Sequence, residues 1–379
     1  MATNYSKIKQ FLGFFLSIYP LGFLPNFKWK PLNNFKLLIF PALKLFAMYC
    51  SFFHLFELLN EEFDIMDMII TLIYIIGYFE WIMIYITIFI SNKSGISQFF
   101  EHFDSAIEES PDEDVYTMYF ATNTKLAYQI TRTFSIGIFA SGVIITSAII
   151  YFSKNHVPMY YIIPGIPSDS ILFYPCNLPI QYITYFSLIG MVFGSDVILI
   201  IMFIFCDAEL KAAIHLISLT NNPQNSPKNT ITLKTINESH LKIIKIAEKL
   251  SKFCWQIYFH KFFTIIVYFC LVLIMIQSDD VPLLIPLLGT LMTISEVFIL
   301  CYFGQTLQDR SQNLPRALYT TNWYDWTLGD QKTLLFLIMI FQRPIKLETF
   351  GFGIVSIYTF VQICKASASY ATILYALYA

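Results

Sequence analysis

The sequence predicts an all-α, polytopic membrane protein with seven transmembrane helices, and three observations carry that expectation. Of the 379 residues 56% are hydrophobic and only 13% charged, with a mean hydropathy of +0.59, whereas soluble domains carry about 25% charged residues. Apolar runs near the length of about 20 residues that crosses a bilayer's hydrocarbon core recur seven times along the chain. The lysines are divided unevenly among the segments between those runs, as they are when one side of the membrane is cytosolic.

The first two runs are Leu37 to Leu59, which carries Lys44 near its start, and Met66 to Ile90. The third lies near Ile130 to Phe152, the fourth near Ile180 to Cys206, and the fifth near Ile257 to Ile276. A short turn of Gln277, Ser278, Asp279 and Asp280 leads to the sixth, near Val281 to Phe303, and the seventh fills Phe350 to Ala379. An odd number of crossings puts the termini on opposite sides. Lys7, Lys9, Lys28, Lys30 and Lys36 precede the first run with no acid among them, and the next short loop holds Glu61, Glu62 and Asp64. Because cytosolic flanks retain lysine and arginine, the N-terminus is expected in the cytosol and the C-terminus outside. The segment Asp207 to Trp255 then falls inside, in agreement with its Lys211, Lys228, Lys234, Lys242, Lys245, Lys249 and Lys252. The acidic stretch Glu101 to Asp114 also falls inside, which the rule tolerates because acids contribute little to it.

Phe11 to Leu24 is apolar but interrupted by Pro20 and followed by Pro25, Lys28, Trp29 and Lys30, a pattern of an interfacial or re-entrant helix rather than of a cleaved signal. The sequons at Asn4, Asn92 and Asn237 fall on the cytosolic side and are expected to be silent. Asn221 to Asn229 is a polar, turn-rich break. Beyond it Ile236, Leu241, Ile244, Ile246, Leu250 and Phe253 recur at near-helical spacing, so the fifth helix is expected to project below the membrane. Asp330 to Phe341 is apolar but too short to cross, and Gln342, Arg343 and Pro344 stop it, so it reads as a buried cytosolic helix. The cytosolic extensions suit either a stalk between subunits or a core within one. The organisation is therefore residues 1–36 as a cytosolic N-terminus, 37–206 as helices one to four with a ligand pocket, 207–349 as cytosolic extensions with helices five and six, and 350–379 as a final helix.

Several function classes fall away on composition. A net charge of -2 offers no basic field for nucleic acid. Cys50, Cys176, Cys206, Cys254, Cys270, Cys301 and Cys364 form no CxxC pair, and with only Cys176 in an extracellular loop no disulfide joins two such loops. His54, His102, His156, His215, His240 and His260 stand isolated, without a nucleophile and base arrangement, so no metal, cofactor or catalytic residue is expected.

From Cys301 onward the chain becomes specific. Cys301, Gly304, Ser311, Leu314, Ala317, Tyr319 and Trp323, then Arg343, Pro344, Phe350 and Phe352, then Ser356, Phe360, Lys365, Ser367, Ser369, Tyr370 and Thr372, stand in the order and spacing of a C-terminal pattern. In these residues the chain resembles the insect odorant receptors, with Ala368 and Ala371 departing where a larger residue is usual. The resemblance implies a heterotetramer with the shared odorant receptor co-receptor, a cation pore formed by the seventh helices, and residence in the plasma membrane of olfactory sensory neurons. It also implies subunit anchoring through Tyr319, Trp323 and Arg343. The second cytosolic loop lacks the long insertion of the co-receptor, so the chain resembles a variable, odour-binding subunit.

The resemblance also implies an odorant pocket in the outer halves of the second, third, fourth and sixth helices. There the candidates are Tyr74, Tyr78, Gly142, Thr146, Tyr182, Phe186, Ile189, Leu287 and Thr290, each also good helix-packing material. No charged side chain is expected among them, which suits a small neutral volatile such as an ester, alcohol or terpenoid. On the seventh helix Lys365, Ser369, Thr372 and Ala376, with Ile373 and Leu377 adjacent, share one face and read either as a pore with an apolar gate or as a packing seam. Asp196 and Glu296 are the main acids inside the spans and could pair with Lys261 or Lys365. A gustatory-type channel would share this architecture. A rhodopsin-like receptor would require Asp-Arg-Tyr and Asn-Pro-x-x-Tyr motifs, and a transporter would require internal repeats, none of which occurs.

Overall fold

In a computed structural model the chain is described over residues 7–8, 30–60, 65–91, 95–101, 115–152, 161–166, 170–219, 229–277 and 284–378. The Phe11 to Leu24 segment, the Glu61, Glu62 and Asp64 loop, residues 102–114, 221–228 and 278–280, and the sequons at Asn4 and Asn92 lie outside the described residues.

Eight helices carry the described fold: α1 (Lys30–Asn60), α2 (Ile65–Tyr85), α3 (Val115–Phe152), α4 (Phe173–Leu219), α5 (Asn229–Gln277), α6 (Leu284–Tyr319), α7 (Leu328–Phe341) and α8 (Ile357–Tyr378). All but α7 have at least 21 residues, and about 20 suffice to cross a bilayer. A π-helical turn, Ile86–Ser91, widens the end of α2, and a two-stranded hairpin, β1 (Glu348–Thr349) with β2 (Gly353–Ile354), precedes α8.

Helix α4 is the axis of the bundle because it is apolar on every side. Of its most apolar stretch 89% is buried, against 28% for α1 and α6, and a helix that is hydrophobic all round belongs inside. It touches α1, α2, α3, α5 and α6. Helices α4 and α5 run 47 and 49 residues, roughly 70 Å at 1.5 Å per residue and far more than the hydrocarbon core requires. The segment from Asp207 to Trp255 is accordingly mostly helix, continuing both spans beyond the membrane core.

Helix α3 starts fifteen residues before the expected Ile130, and polar side chains explain the difference. Phe120, Asn123, Thr124, Ala127, Thr131 and Ser135 form one buried stripe at spacings of three and four. Asn123 Nδ2 donates to the Ile204 carbonyl at 3.0 Å and to Asp207 Oδ2 at 3.3 Å, and Lys211 donates to Asn123 Oδ1 at 3.3 Å. Asp207 also pairs with Lys211 at 2.5 Å and with Arg310 of α6 at 3.2 Å. A polar group satisfied in this way can be buried at little cost.

At the end of α6 the chain turns through a 3-10 segment, Trp323–Asp325, into α7. Thr327 caps α7 by accepting from the Asp330 N–H at 3.3 Å while donating to Asp330 Oδ2 at 2.8 Å, a reciprocal arrangement at the first turn. Asp330, Leu334, Leu337 and Phe341 of α7 are buried, whereas Leu335, Phe336 and Met339 are exposed, so the expected buried helix is buried on one face only. Gly351 and Gly353, both at φ 78°, let the hairpin reverse, and Thr349 Oγ1 pins it to α5 by donating to the Trp255 carbonyl at 3.0 Å. Gly304 of α6 faces the Val355 carbonyl so closely that a Cβ would collide with it. That close approach sets where α8 begins, and Ser356 then caps α8 by accepting from the Thr359 N–H at 3.3 Å.

Candidate functional site

A cavity of about 200 Å³ lies between α2, α4, α5 and α6, in the half of the bundle away from α7. Its wall is aromatic and aliphatic: Ile73, Tyr74 and Gly77 come from α2, Tyr185, Leu188, Ile189 and Phe193 from α4, Ile265 and Tyr268 from α5, and Gly289, Met292 and Thr293 from α6. Two glycines make the wall compact. A Cβ at Gly77 would stand 3.1 Å from Leu188 Cδ1, and one at Gly289 would collide with the Tyr268 hydroxyl. The rings of Tyr74 and Tyr185 meet edge to face, 6.0 Å apart at 61°, which fixes one side of the space.

The inner end of the cavity is charged. Glu80, Lys261 and Glu296 line it, and Lys261 Nζ lies 2.5 Å from Glu296 Oε1, 2.9 Å from Asp196 Oδ1 and 3.7 Å from Glu80 Oε1. One lysine of α5 thus ties together acids from α2, α4 and α6. The expectation of a pocket without charge is therefore corrected. The physical reason is that acids and a base buried in separate helices satisfy one another only where those helices converge, and here they converge on the cavity. The expected pairing of Asp196 and Glu296 is with Lys261, while Lys365 is exposed on α8.

Tyr74 and Ile189 stand on the cavity wall. Tyr78 is fully buried one turn further along α2, where its hydroxyl donates to Thr184 Oγ1 at 3.5 Å and the buried Lys44 ammonium sits 5.1 Å from its ring centre. Lys44 also donates to the Thr184 carbonyl and lies 5.5 Å from the Trp81 ring, so its charge is held by a carbonyl and two aromatic faces. Gly142 of α3 lies behind the wall, where a Cβ would come 2.9 Å from Ile189 Cδ1. Tyr182 and Phe186 stack on each other at 6.2 Å, and Phe186 meets Phe139 of α3 at 5.4 Å, so this pair belongs to the α3–α4 contact. Leu287 is 52% exposed and Thr290 half-buried, and neither lines the cavity. Thr146 falls within α3, but its side chain lies outside the described residues. Helix α5 lines the space where α3 was expected to. Tyr185, Phe193, Lys261 and Tyr268 were not among the candidates, and the signal for them was Lys261 itself, an ionisable side chain in an apolar run.

On α8 one stripe, Thr359, Ile363, Ser367 and Ala371, is buried against α5 and α6. Cys270 Sγ of α5 approaches the Ser367 carbonyl at 3.7 Å, and Phe298 of α6 meets Phe360 at 5.5 Å. Ser369, Thr372, Ile373 and Ala376 all lie on the exposed side, Ile373 at 56%, and the Leu377 side chain is outside the described residues. Tyr319, Trp323 and Arg343 are exposed near α7, Arg343 beside a groove of about 660 Å³ between α5 and α7. All seven cysteines are free, and Cys176 lies in the first turn of α4 rather than in a loop.

Membrane-length helices around a largely apolar cavity define a polytopic membrane protein with room for a small molecule within its bundle. The chain belongs to the 7tm odorant receptor family, whose model matches residues 64–368. Among curated relatives, it is 24% identical to odorant receptor 67a of Drosophila melanogaster over 202 residues, 52% of this chain and 50% of that one. It is 25% identical to odorant receptor 82a of the same fly over 157 residues, 40% of each, and 29% identical to odorant receptor 85f over 82 residues, 22% of this chain and 21% of the relative. The aligned stretches thus span a fifth to a half of those relatives. The fold is that of the insect olfactory receptor OR5 from Machilis hrabei, solved alone and in complex with eugenol, with a TM-score of 0.81, 16% identity, and coverage of 98% of this chain and 97% of that one. The family is one of receptors, not of enzymes.

Proposed function

We propose that the chain is an odour-binding subunit of a heteromeric ligand-gated cation channel, assembled as a heterotetramer with the odorant receptor co-receptor. In this reading the N-terminus is cytosolic, the C-terminus extracellular, and the complex resides in the plasma membrane of olfactory sensory neurons. The observation that carries it is the cavity between α2, α4, α5 and α6. Its aromatic and aliphatic wall suits a small neutral volatile held by dispersion and one or two hydrogen bonds, and the Machilis hrabei receptor of the same fold binds eugenol, a molecule of that size class. Tyr74 and Ile189 make direct contacts, with Tyr182 and Phe186 supporting the wall from behind.

The half-attached final helix supports the channel part of the reading. One narrow stripe holds α8 to its own subunit, which leaves Ser369, Thr372, Ile373 and Ala376 for an ion path shared with neighbouring subunits. Ile373 with Leu377 forms the apolar gate, closing the path by dewetting. Helix α5 provides the coupling, since Ile265 and Tyr268 face the cavity and Cys270 faces α8. A ligand that fits the cavity better in the open state shifts α5 and α6, and with them α8. Whole-cell recording over a panel of neutral volatiles, in cells expressing the chain with and without the co-receptor, tests this. Odour-evoked cation current is expected only with both subunits present, and its absence while both reach the surface contradicts the proposal.

A further inference from the structure

The charged end of the cavity has more acceptors than donors. Glu80, Lys261 and Glu296 reach its surface from three helices, with Asp196 directly behind. An ammonium supplies three protons and no lone pair, while three carboxyl groups offer about a dozen acceptor sites when ionised. Glu296 and Asp196 take Lys261 at 2.5 and 2.9 Å, whereas Glu80 stands at 3.7 Å, an ion-pair contact longer than a hydrogen bond. Of the neighbouring hydroxyls, Thr293 donates to the Gly289 carbonyl of its own helix at 2.5 Å, while Thr264 donates to the His260 carbonyl at 2.7 Å and also lies within hydrogen-bonding reach of Glu80. Apart from Tyr74, Tyr185, Tyr268, Thr264 and Thr293 the rest of the wall is apolar, and an oxygen acceptor left facing a carboxylate at this end is unfavourable.

We infer that the cavity recognises its ligand through a hydroxyl group, whose O–H donates to the Glu80 or Glu296 carboxylate while its oxygen accepts from Lys261. The carbon skeleton then lies against Tyr74, Ile189 and Phe193. A hydroxyl is the smallest neutral group that both donates and accepts, and it answers both signs of the cluster. Esters and ethers only accept, so they meet Lys261 but not the carboxylates. The inference rests on the odour-binding reading above and narrows it from small neutral volatiles to alcohols.

The test is whole-cell recording from cells expressing the chain with the co-receptor, comparing 1-hexanol and 2-phenylethanol with the methyl ether and the acetate of each. The alcohols are expected to act at half-maximal concentrations at least about tenfold below those of their ethers, the effect of a hydrogen bond to a charged group. Glu80→Gln and Glu296→Gln keep side-chain shape, and each is expected to raise the half-maximal concentration of the alcohols more than that of their ethers and so to narrow that ratio. Ethers or acetates matching the alcohols on the native chain would overturn the inference and leave the odour-binding reading standing. An alcohol preference undiminished in both variants would also overturn it. Silence towards all six compounds, with both subunits at the surface, counts against both readings. The native-chain comparison decides alone should either variant fail to reach the surface.

Discussion

Lys261 is the residue on which the site's geometry turns. It is almost wholly buried and is the shared cation of three acids on three other helices. Removing one partner of such a group leaves uncompensated charge inside the bundle, at about 3–5 kcal/mol. Lys261→Met is therefore expected to cut surface delivery severely, measured by surface biotinylation, and Lys261→Met combined with Glu296→Gln is expected to recover part of it. Normal surface levels in the single variant would contradict this account of the cluster. At this scale the sequence was only partly legible. Tyr74 and Ile189 were among the candidates and line the cavity, but of the α4 candidates Tyr182, Phe186 and Ile189 only Ile189 coincides with the wall residues Tyr185, Ile189 and Phe193. In a helix that is apolar all round, periodicity gives no phase. The charged residues were readable as unusual, yet their meeting at one point depends on four helices that are far apart in the chain.

Among elements, α8 shows how a single subunit leaves one helix incompletely used. Its buried stripe of Thr359, Ile363, Ser367 and Ala371 is small and partly polar, and large side chains such as Tyr358, Tyr370 and Ile373 face away from the subunit. With Ile373 and Leu377 as the gate of a shared path, replacing both by Ser is expected to wet the constriction and give a cation leak without odorant, seen as holding current at fixed voltage. Unchanged resting and evoked currents would remove these residues from the gate. Element identity was the most legible part of the chain, because runs of about 20 apolar residues announce membrane helices directly. Element ends were not. Helix α3 begins early because Asn123 is buried against α4 and satisfied there by the Ile204 carbonyl and Asp207, and a polar residue satisfied by another helix looks like loop until that helix is in place. The short helix α7 was legible from its apolar run and its stop at Gln342, Arg343 and Pro344, whereas the exposure of its Leu335, Phe336 and Met339 face was not.

For the whole molecule, the lysine-rich N-terminal flank and the lysines that follow α4 argue for one polarity. An epitope tag at the N-terminus is expected to be reached by antibody only after permeabilisation, and a tag at the C-terminus in intact cells. The reverse pattern would invert the pore and place the cavity nearer the cytosol. The junction around Lys261 also bears on how the protein is made. Glu80 and Asp196 are synthesised 181 and 65 residues before their cation, and Glu296 follows it by 35. A carboxylate at the centre of an isolated span costs about 2.5–3.5 kcal/mol on insertion scales. The early helices therefore enter the bilayer carrying a debt that only α5 can cancel, and the nascent chain stays vulnerable to quality-control retention until residue 261 has left the ribosome and folded against them.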